Sequence, residues 1–444
     1  MNLTPAEVKD VTDRRLAASR ADGCIINVNG GESLNLRFAR NSATSNGAVS
    51  ALEVTITSQF GQQSGSATVT SLDDGALDMA QRRSEEIARL APADPEQMAP
   101  LGAQQYQTGV AYDPPTAGLR AARMAEGAKA AIAKAVEKDV DATGYSQVGA
   151  RFTAMATSAG LFAYDRQTEA DFTATARRKD GSWSGWAGGS EYRFGNLDAG
   201  LIAERSVGKA AHSQTPLDLD PGQYTVILEP SAAGEMLQYL LWSLDARSAD
   251  EGRSWLSGKE GATKLGETLL DARVTIYSDP AEPLAPAQIF GDEGLPQERT
   301  LWIEDGIVKN LSCSRYWAAK TGRTPRPYPA GLAMVGGATP VEEMIRNTRR
   351  GILVTRVWYS NMLDPRTLLL TGLTRDGNFL IENGRIASPV GNFRFNESLI
   401  AVLGNIDAVG PTARIHGGDL TSVPVAAPPL LVKRFNFTSR SRGI

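Results

Sequence analysis

Metal-assisted hydrolysis of a peptide bond needs imidazole, thiolate or carboxylate ligands on one face of an element. A further carboxylate must take a proton from the metal-bound water. This sequence is poor in such groups: it holds two histidines, His212 and His416, and two cysteines, Cys24 and Cys313. Neither histidine has a glutamate beside it, and the cysteines lack CxxC spacing, which points to free, buried thiols rather than a disulfide or a zinc ribbon. Metal-free acid/base chemistry would draw on Tyr239, His416, Asp292 and Glu293, and nothing in their spacing brings them together. The simpler readings are structural. Gly291-Asp-Glu-Gly294 reads as a turn with exposed acids, and His212 as the end of a helix where an imidazole meets the last carbonyls.

The element suited to carrying a metal site is residues 223–244. Tyr224 to Leu228 is a β-rich apolar run between Gly222 and Pro230. From Ala232 the apolar period lengthens, so that Met236, Leu237, Leu240, Leu241 and Leu244 share one helical stripe. Gln238, Tyr239 and Ser243 are polar positions on that helix, and none of the three is a metal ligand of ordinary strength.

The rest of the composition narrows the class. A chain of 444 residues, 42% hydrophobic and 22% charged, has room for two or three domains with cores of their own. A net charge of −4 with scattered Lys and Arg argues against nucleic acid. The charged N-terminus without an apolar h-region, and the absence of any span-length apolar stretch, predict a cytoplasmic chain with no membrane partner.

In chain order, Thr4-Pro5-Ala6-Glu7 opens a helix with a capping box. An antiparallel meander follows (Cys24 to Val28; Leu34, Leu36 and Phe38; Leu52, Val54 and Ile56), then a helix over residues 73–91. These make a first α+β module, residues 1–93, and residues 94–118 read as a connector. A central module, 119–217, combines an Ala-rich helix (119–138), paired strands (149–157 and 160–178), a Gly-Trp-rich edge and a closing helix (197–211). Its aromatic cluster Trp183, Trp186 and Tyr192 suits sheet packing, with a peptide groove as the alternative. Residues 218–444 are mostly β. Two similar hairpins, turning at Asp305-Gly306 and Asn383-Gly384, join strands expected to close around the central helix, and residues 430–437 read as a last edge strand. The fold class is therefore α+β, with a barrel-like C-terminal domain.

Several segments, in this order and spacing, resemble the TldD/TldE peptidase family, whose TldE branch is also called PmbA. They are Arg37-Phe-Ala-Arg-Asn41, Thr157-Ser-Ala-Gly-Leu-Phe-Ala-Tyr164 with Thr168, Gly291-Asp-Glu-Gly294, Glu298-Arg-Thr-Leu-Trp-Ile-Glu-Asp-Gly306, Thr367 to Gly377, Phe379-Leu-Ile-Glu-Asn-Gly-Arg-Ile386 and Asn392-Phe-Arg-Phe-Asn396. The resemblance spans nearly the whole chain. In the family's active TldD subunit a helix after a strand carries HExxxH and a C-terminal cysteine completes a zinc site. Those positions fall here on Gln238, Tyr239 and Ser243, and, counting back from Ser422-Val-Pro-Val425, on His416.

The resemblance thus implies a TldE-like subunit with no metal or catalytic residues of its own. Its partner would be a TldD-like, HExxxH-bearing subunit that holds zinc, the two enclosing a chamber where unfolded or extended peptides are cut, in general proteolysis or in peptide and natural-product maturation. A homodimer is the alternative state of the chain alone. Two other readings stay open: an independent hydrolase with a metal-free site, and a regulatory binding protein.

Overall fold

The computed structural model of the chain describes residues 2–259, 261–416 and 423–441. Helix α1 (Pro5–Ala18) starts as its capping box dictates. The Thr4 hydroxyl accepts the Glu7 amide at 3.3 Å, and the Glu7 carboxylate accepts the Thr4 amide at 2.7 Å. Next come β1 (Gly23–Ala39), β2 (Ser42–Phe60), β3 (Gln63–Val69), α2 (Asp74–Leu90), α3 (Pro114–Ala117), α4 (Ala121–Glu137), β4 (Val140–Thr157), β5 (Phe162–Arg178), β6 (Ser184–Glu191) and α5 (Ala199–Ala210). The six strands form one antiparallel sheet in the order β3-β2-β1-β4-β5-β6, so residues before and after the connector share a sheet.

The short meander strands expected from the sequence are long ribbons instead. β1 runs unbroken for 17 residues and pairs with β2 and β4. Gly30 and Gly31 do not end the strand; they admit β4. A Cβ on Gly31 would lie 2.5 Å from the Ala150 carbonyl oxygen, and one on Gly30 would lie 2.5 Å from the Phe152 ring. The β1–β2 turn falls on Arg40 and Asn41, with φ of 49° and 59°, as two-residue hairpins prefer. The Asn41 amide then ties the hairpin to β4, donating to the Val140 carbonyl at 2.9 Å and accepting the Ala142 amide at 2.7 Å.

Alternation gives the sheet two unlike faces. Cys24, Ile26, Val28 and Phe152 pack beneath α1 and α2, while Phe38, Phe172 and Ala174 pack beneath α4 and α5. The opposite face carries Tyr145, Gln147, Arg151, Gln167, Glu169 and Asp171, of which Arg151, Gln167 and Asp171 meet the C-terminal part of the chain.

The C-terminal part comprises β7 (Gly222–Leu228), α6 (Pro230–Trp242), α7 (Ala246–Asp250), β8 (Ile276–Ser278), β9 (Thr300–Glu304), β10 (Ile307–Val308), α8 (Arg315–Thr321), β11 (Leu332–Met334), α9 (Val341–Asn347), β12 (Arg350–Asp364), β13 (Leu369–Glu382), β14 (Arg385–Pro389), β15 (Asn392–Ser398), α10 (Leu399–Gly404), β16 (Ile406–Val409), β17 (Ala413–Arg414), β18 (Val425–Ala427) and β19 (Leu430–Ser441). Strands β12, β7, β19, β15 and β13 pair in sequence, and β13 pairs back onto β12, closing a ring from which β14 and β16 branch. A second sheet has the order β10-β9-β8-β11-β18-β17. Helix α6 lies between the two, against β12 and β18, and is buried from Ala232 to Leu241.

The local readings of β19 and His212 are revised. β19 is a central strand paired with β7, β15 and β16, not an edge, because Leu430, Leu431, Val432, Phe435 and Phe437 are all buried. The two similar hairpins belong to different sheets, so their likeness is turn chemistry: Asp305-Gly306 and Asn383-Gly384 both take positive φ. His212 does not cap α5. The carbonyls of Lys209 and Ala210 accept from Trp183 Nε1 at 2.9 Å and Arg178 Nε at 3.3 Å, and the imidazole lies against the Phe379 ring instead. Trp183, Trp186 and Tyr192 are buried packing groups, with Trp183 edge-on to Phe379 and the Arg356 guanidinium over Trp186.

Candidate functional site

Helix α6 forms because its first turn carries Pro230 and its inward stripe is aliphatic, and it ends at Ser243. Tyr239 donates to the Ser360 carbonyl, and burial pushes its phenol further up from its ordinary range. The Ser243 hydroxyl donates to the Leu240 carbonyl at 2.7 Å and accepts Trp255 Nε1 at 2.8 Å. Both side chains are committed to the fold. Gln238 is 1% exposed, and neither atom of its amide has a hydrogen-bond partner among the described residues.

His416 does not face these groups. Its Nδ1 lies 3.3 Å from the Asp171 carboxylate on β5, while its neighbour Ile415 packs over Gly234 on α6. Among the described residues no group of three or more His, Cys, Asp or Glu side chains is placed to hold a metal ion. Zinc therefore does not fit the donor set at the helix: the buried Glu235 carboxylate is the one strong ligand type on α6, and beside it stand a neutral amide, a phenol and a hydroxyl both engaged elsewhere, and an imidazole turned away.

An unpaired buried amide costs stability without returning any. Gln238→Met, which keeps the shape and removes the polar atoms, should raise stability by about 1 kcal/mol in denaturant titration. A clear loss of stability would show that the amide has a partner in solution.

The acids Asp292 and Glu293 also stand apart from Tyr239. Glu293 accepts the Arg315 amide at 3.0 Å at the start of α8. The turn around them is closed by the Gly294 amide on the Gly291 carbonyl at 2.9 Å, and Gly294 has φ of 80°. Tyr239, His416 and the two acids are thus distributed over separate places.

What the structure does assemble is a cleft of about 300 Å³ between the polar face of the first sheet and the 288–297 and 328–330 loops. The connector straps this junction: Tyr106 donates to the Gly294 carbonyl at 2.7 Å and Gln107 to the Gln297 carbonyl at 3.0 Å. Within the cleft Arg151 donates to Gln167 Oε1 at 2.8 Å, and Gln167 donates to Asp165 at 3.1 Å. Burial pushes the Asp165 carboxyl up to about 6, against the lowering effect of the Gln167 bond. Sequence reasoning missed Arg151, Gln167 and Asp165. Their only signal is polar alternation in two strands whose pairing is not written locally. A larger groove, near 1020 Å³, is lined by strand positions of the first sheet such as Gly30, Leu52 and Phe152.

Residues 104–214 match the PmbA/TldA metallopeptidase central domain, and residues 221–439 match the C-terminal domain of the same family. A protein named metalloprotease from Methanothermobacter thermautotrophicus is 26% identical over 223 residues, 46% of this chain and 47% of the relative. The chain spans about half the length of the curated relatives it matches. Among solved structures, TldE from Thermococcus kodakarensis superposes with a TM-score of 0.85 at 19% identity, covering 98% of this chain and 100% of that one. A candidate modulator of a DNA gyrase from Thermotoga maritima gives a TM-score of 0.84 at 19% identity, covering 97% and 100%. At that identity the structures speak for the fold, and the two matched domains speak for the lineage. The chain belongs to the PmbA/TldD metallopeptidase family.

Proposed function

We propose that this chain is a non-catalytic, TldE-like subunit of a two-subunit metallopeptidase acting on unfolded or extended peptides. The observation that carries the reading is the state of α6: the positions that would hold HExxxH are a buried amide, a phenol bonded to Ser360 and a hydroxyl bonded to Leu240 and Trp255. The relatives named metalloprotease and the fold shared with TldE agree with it. In this reading zinc and the general base reside in a TldD-like, HExxxH-bearing partner, in the cytoplasm. This chain contributes wall and binding surface, and a sheet edge could add an extended peptide as a further strand.

The test is cleavage of azocasein or an extended peptide by each subunit alone and by their mixture, with zinc measured on each. The expected result is little zinc and no cleavage for this chain, and cleavage by the mixture well above that by the partner. A mixture no faster than the partner alone would overturn the reading.

A further inference from the structure

We propose that the cleft between β4 and the 288–297 loop binds a small zwitterion, an amino acid or dipeptide with free ends, its carboxylate on Arg151 and its ammonium on Asp292. The cleft is lined by one cation and one anion, Arg151 and Asp292, which make no ion pair with each other. A simple anion would be repelled by Asp292 and a simple cation by Arg151, whereas a ligand bearing both charges is matched at each end.

The groups are also prepared for the task. Arg151 Nε and Nη2 both rest on Gln167 Oε1, at 3.3 and 2.8 Å, and Gln167 is itself held by Asp165 at 3.1 Å. This leaves Nη1 and the outer edge of the fork for a carboxylate, the acceptor whose geometry the guanidinium suits. Nη1 is only 3.9 Å from Glu169, a long, solvent-screened contact. Asp292 is exposed, and neither its carboxylate nor the Gln288 side chain has a hydrogen-bond or ion-pair partner among the described residues. Gln297 is fixed by its bond to the Tyr328 carbonyl at 2.6 Å. Phe290 and Pro329 supply an apolar wall for a side chain. A volume of about 300 Å³ is at the small end of ligand sites, which favours one or two residues over a longer peptide.

The site is made by this chain alone and needs no second subunit. Its failure would therefore leave the mixing experiment untouched.

The test is calorimetric titration of the full chain with leucine, with Ala-Leu, with N-acetyl-Ala-Leu and with Ala-Leu amide. Saturable binding of Ala-Leu or leucine is expected, weakened about tenfold or more when the end that is recognised is blocked. Arg151→Gln should erase the preference for a free carboxylate and keep that for a free amine, and Asp292→Asn should do the reverse. Both side chains lie at the surface, so the variants should fold, and an unchanged thermal midpoint checks this. No saturable binding of any probe up to about 10 mM would overturn the proposal, that being weaker than any specific small site is worth. So would two folded variants that weaken every probe equally.

Discussion

Asp376→Ala is expected to lower stability by about 3 kcal/mol, a loss characteristic of removing one partner from a buried ion network. Asp376 is 4% exposed, on β13, where it meets the N-terminal sheet. It accepts the Ser184 hydroxyl of β6 at 2.7 Å, is bonded by the Arg356 guanidinium, and has Arg375 Nε at 3.3 Å. Burial pushes its carboxyl up, but the Arg356 charge, the Ser184 and Arg356 bonds and the Arg375 charge outweigh this and hold it below the usual range. Truncation would take the carboxylate away from the Arg356 guanidinium, which lies over the Trp186 ring, and leave the Ser184 hydroxyl without this acceptor.

A depressed carboxyl contributes stability above its unfolded value, near 4, and loses it as pH falls through the lower folded value. The gap between wild type and Asp376→Ala should therefore be full at neutral pH and close in acid. Ser184→Ala, which removes only one neutral donor, should cost about 1 kcal/mol. Denaturant titrations at neutral and acid pH read both effects. A variant with wild-type midpoints would mean that the arginines find other partners and that this junction does not depend on the carboxylate.

Asp165→Asn is expected to act in the opposite direction. Asp165 is 5% exposed, packed where a Cβ on Gly109 would come within 2.3 Å of its Oδ1, and its carboxyl is pushed from 3.8 up to about 6. A raised folded value means that the native state binds the proton more tightly than the unfolded chain. Stability from this group is therefore full below pH of about 4 and falls as pH rises to about 6. At about 1.4 kcal/mol per unit, keeping Asp165 ionised at neutral pH costs about 3 kcal/mol. The amide keeps an acceptor for Gln167 and carries no charge, so Asp165→Asn should be more stable than wild type at pH of about 7.5, with the difference shrinking towards pH of about 4. A difference that does not change with pH would rule out ionisation of Asp165 as its source.

Much of the chain was legible residue by residue. The Thr4–Glu7 capping box, the Asp305-Gly306 and Asn383-Gly384 turns and the all-apolar stripe of α6 are local patterns, and local chemistry reads them directly. The absence of metal ligands at Gln238, Tyr239 and Ser243 was likewise a statement about residue types. Local reading failed where neighbours are distant in the chain. The continuity of β1 through Gly30-Gly31 depends on β4, more than a hundred residues later, whose close approach requires glycine there.

The same division runs through the candidate site. The turn at Gly291–Gly294, the amphipathic strands and the helix without HExxxH are patterns of near neighbours in the chain. The meeting of His416 with Asp171, 245 residues away, and the chain of bonds through Arg151, Gln167 and Asp165 arise from long-range packing. Strand register sets which side chains stand opposite each other, and register comes from sheet closure and packing of the whole domain, a non-local balance that no short window of residues contains.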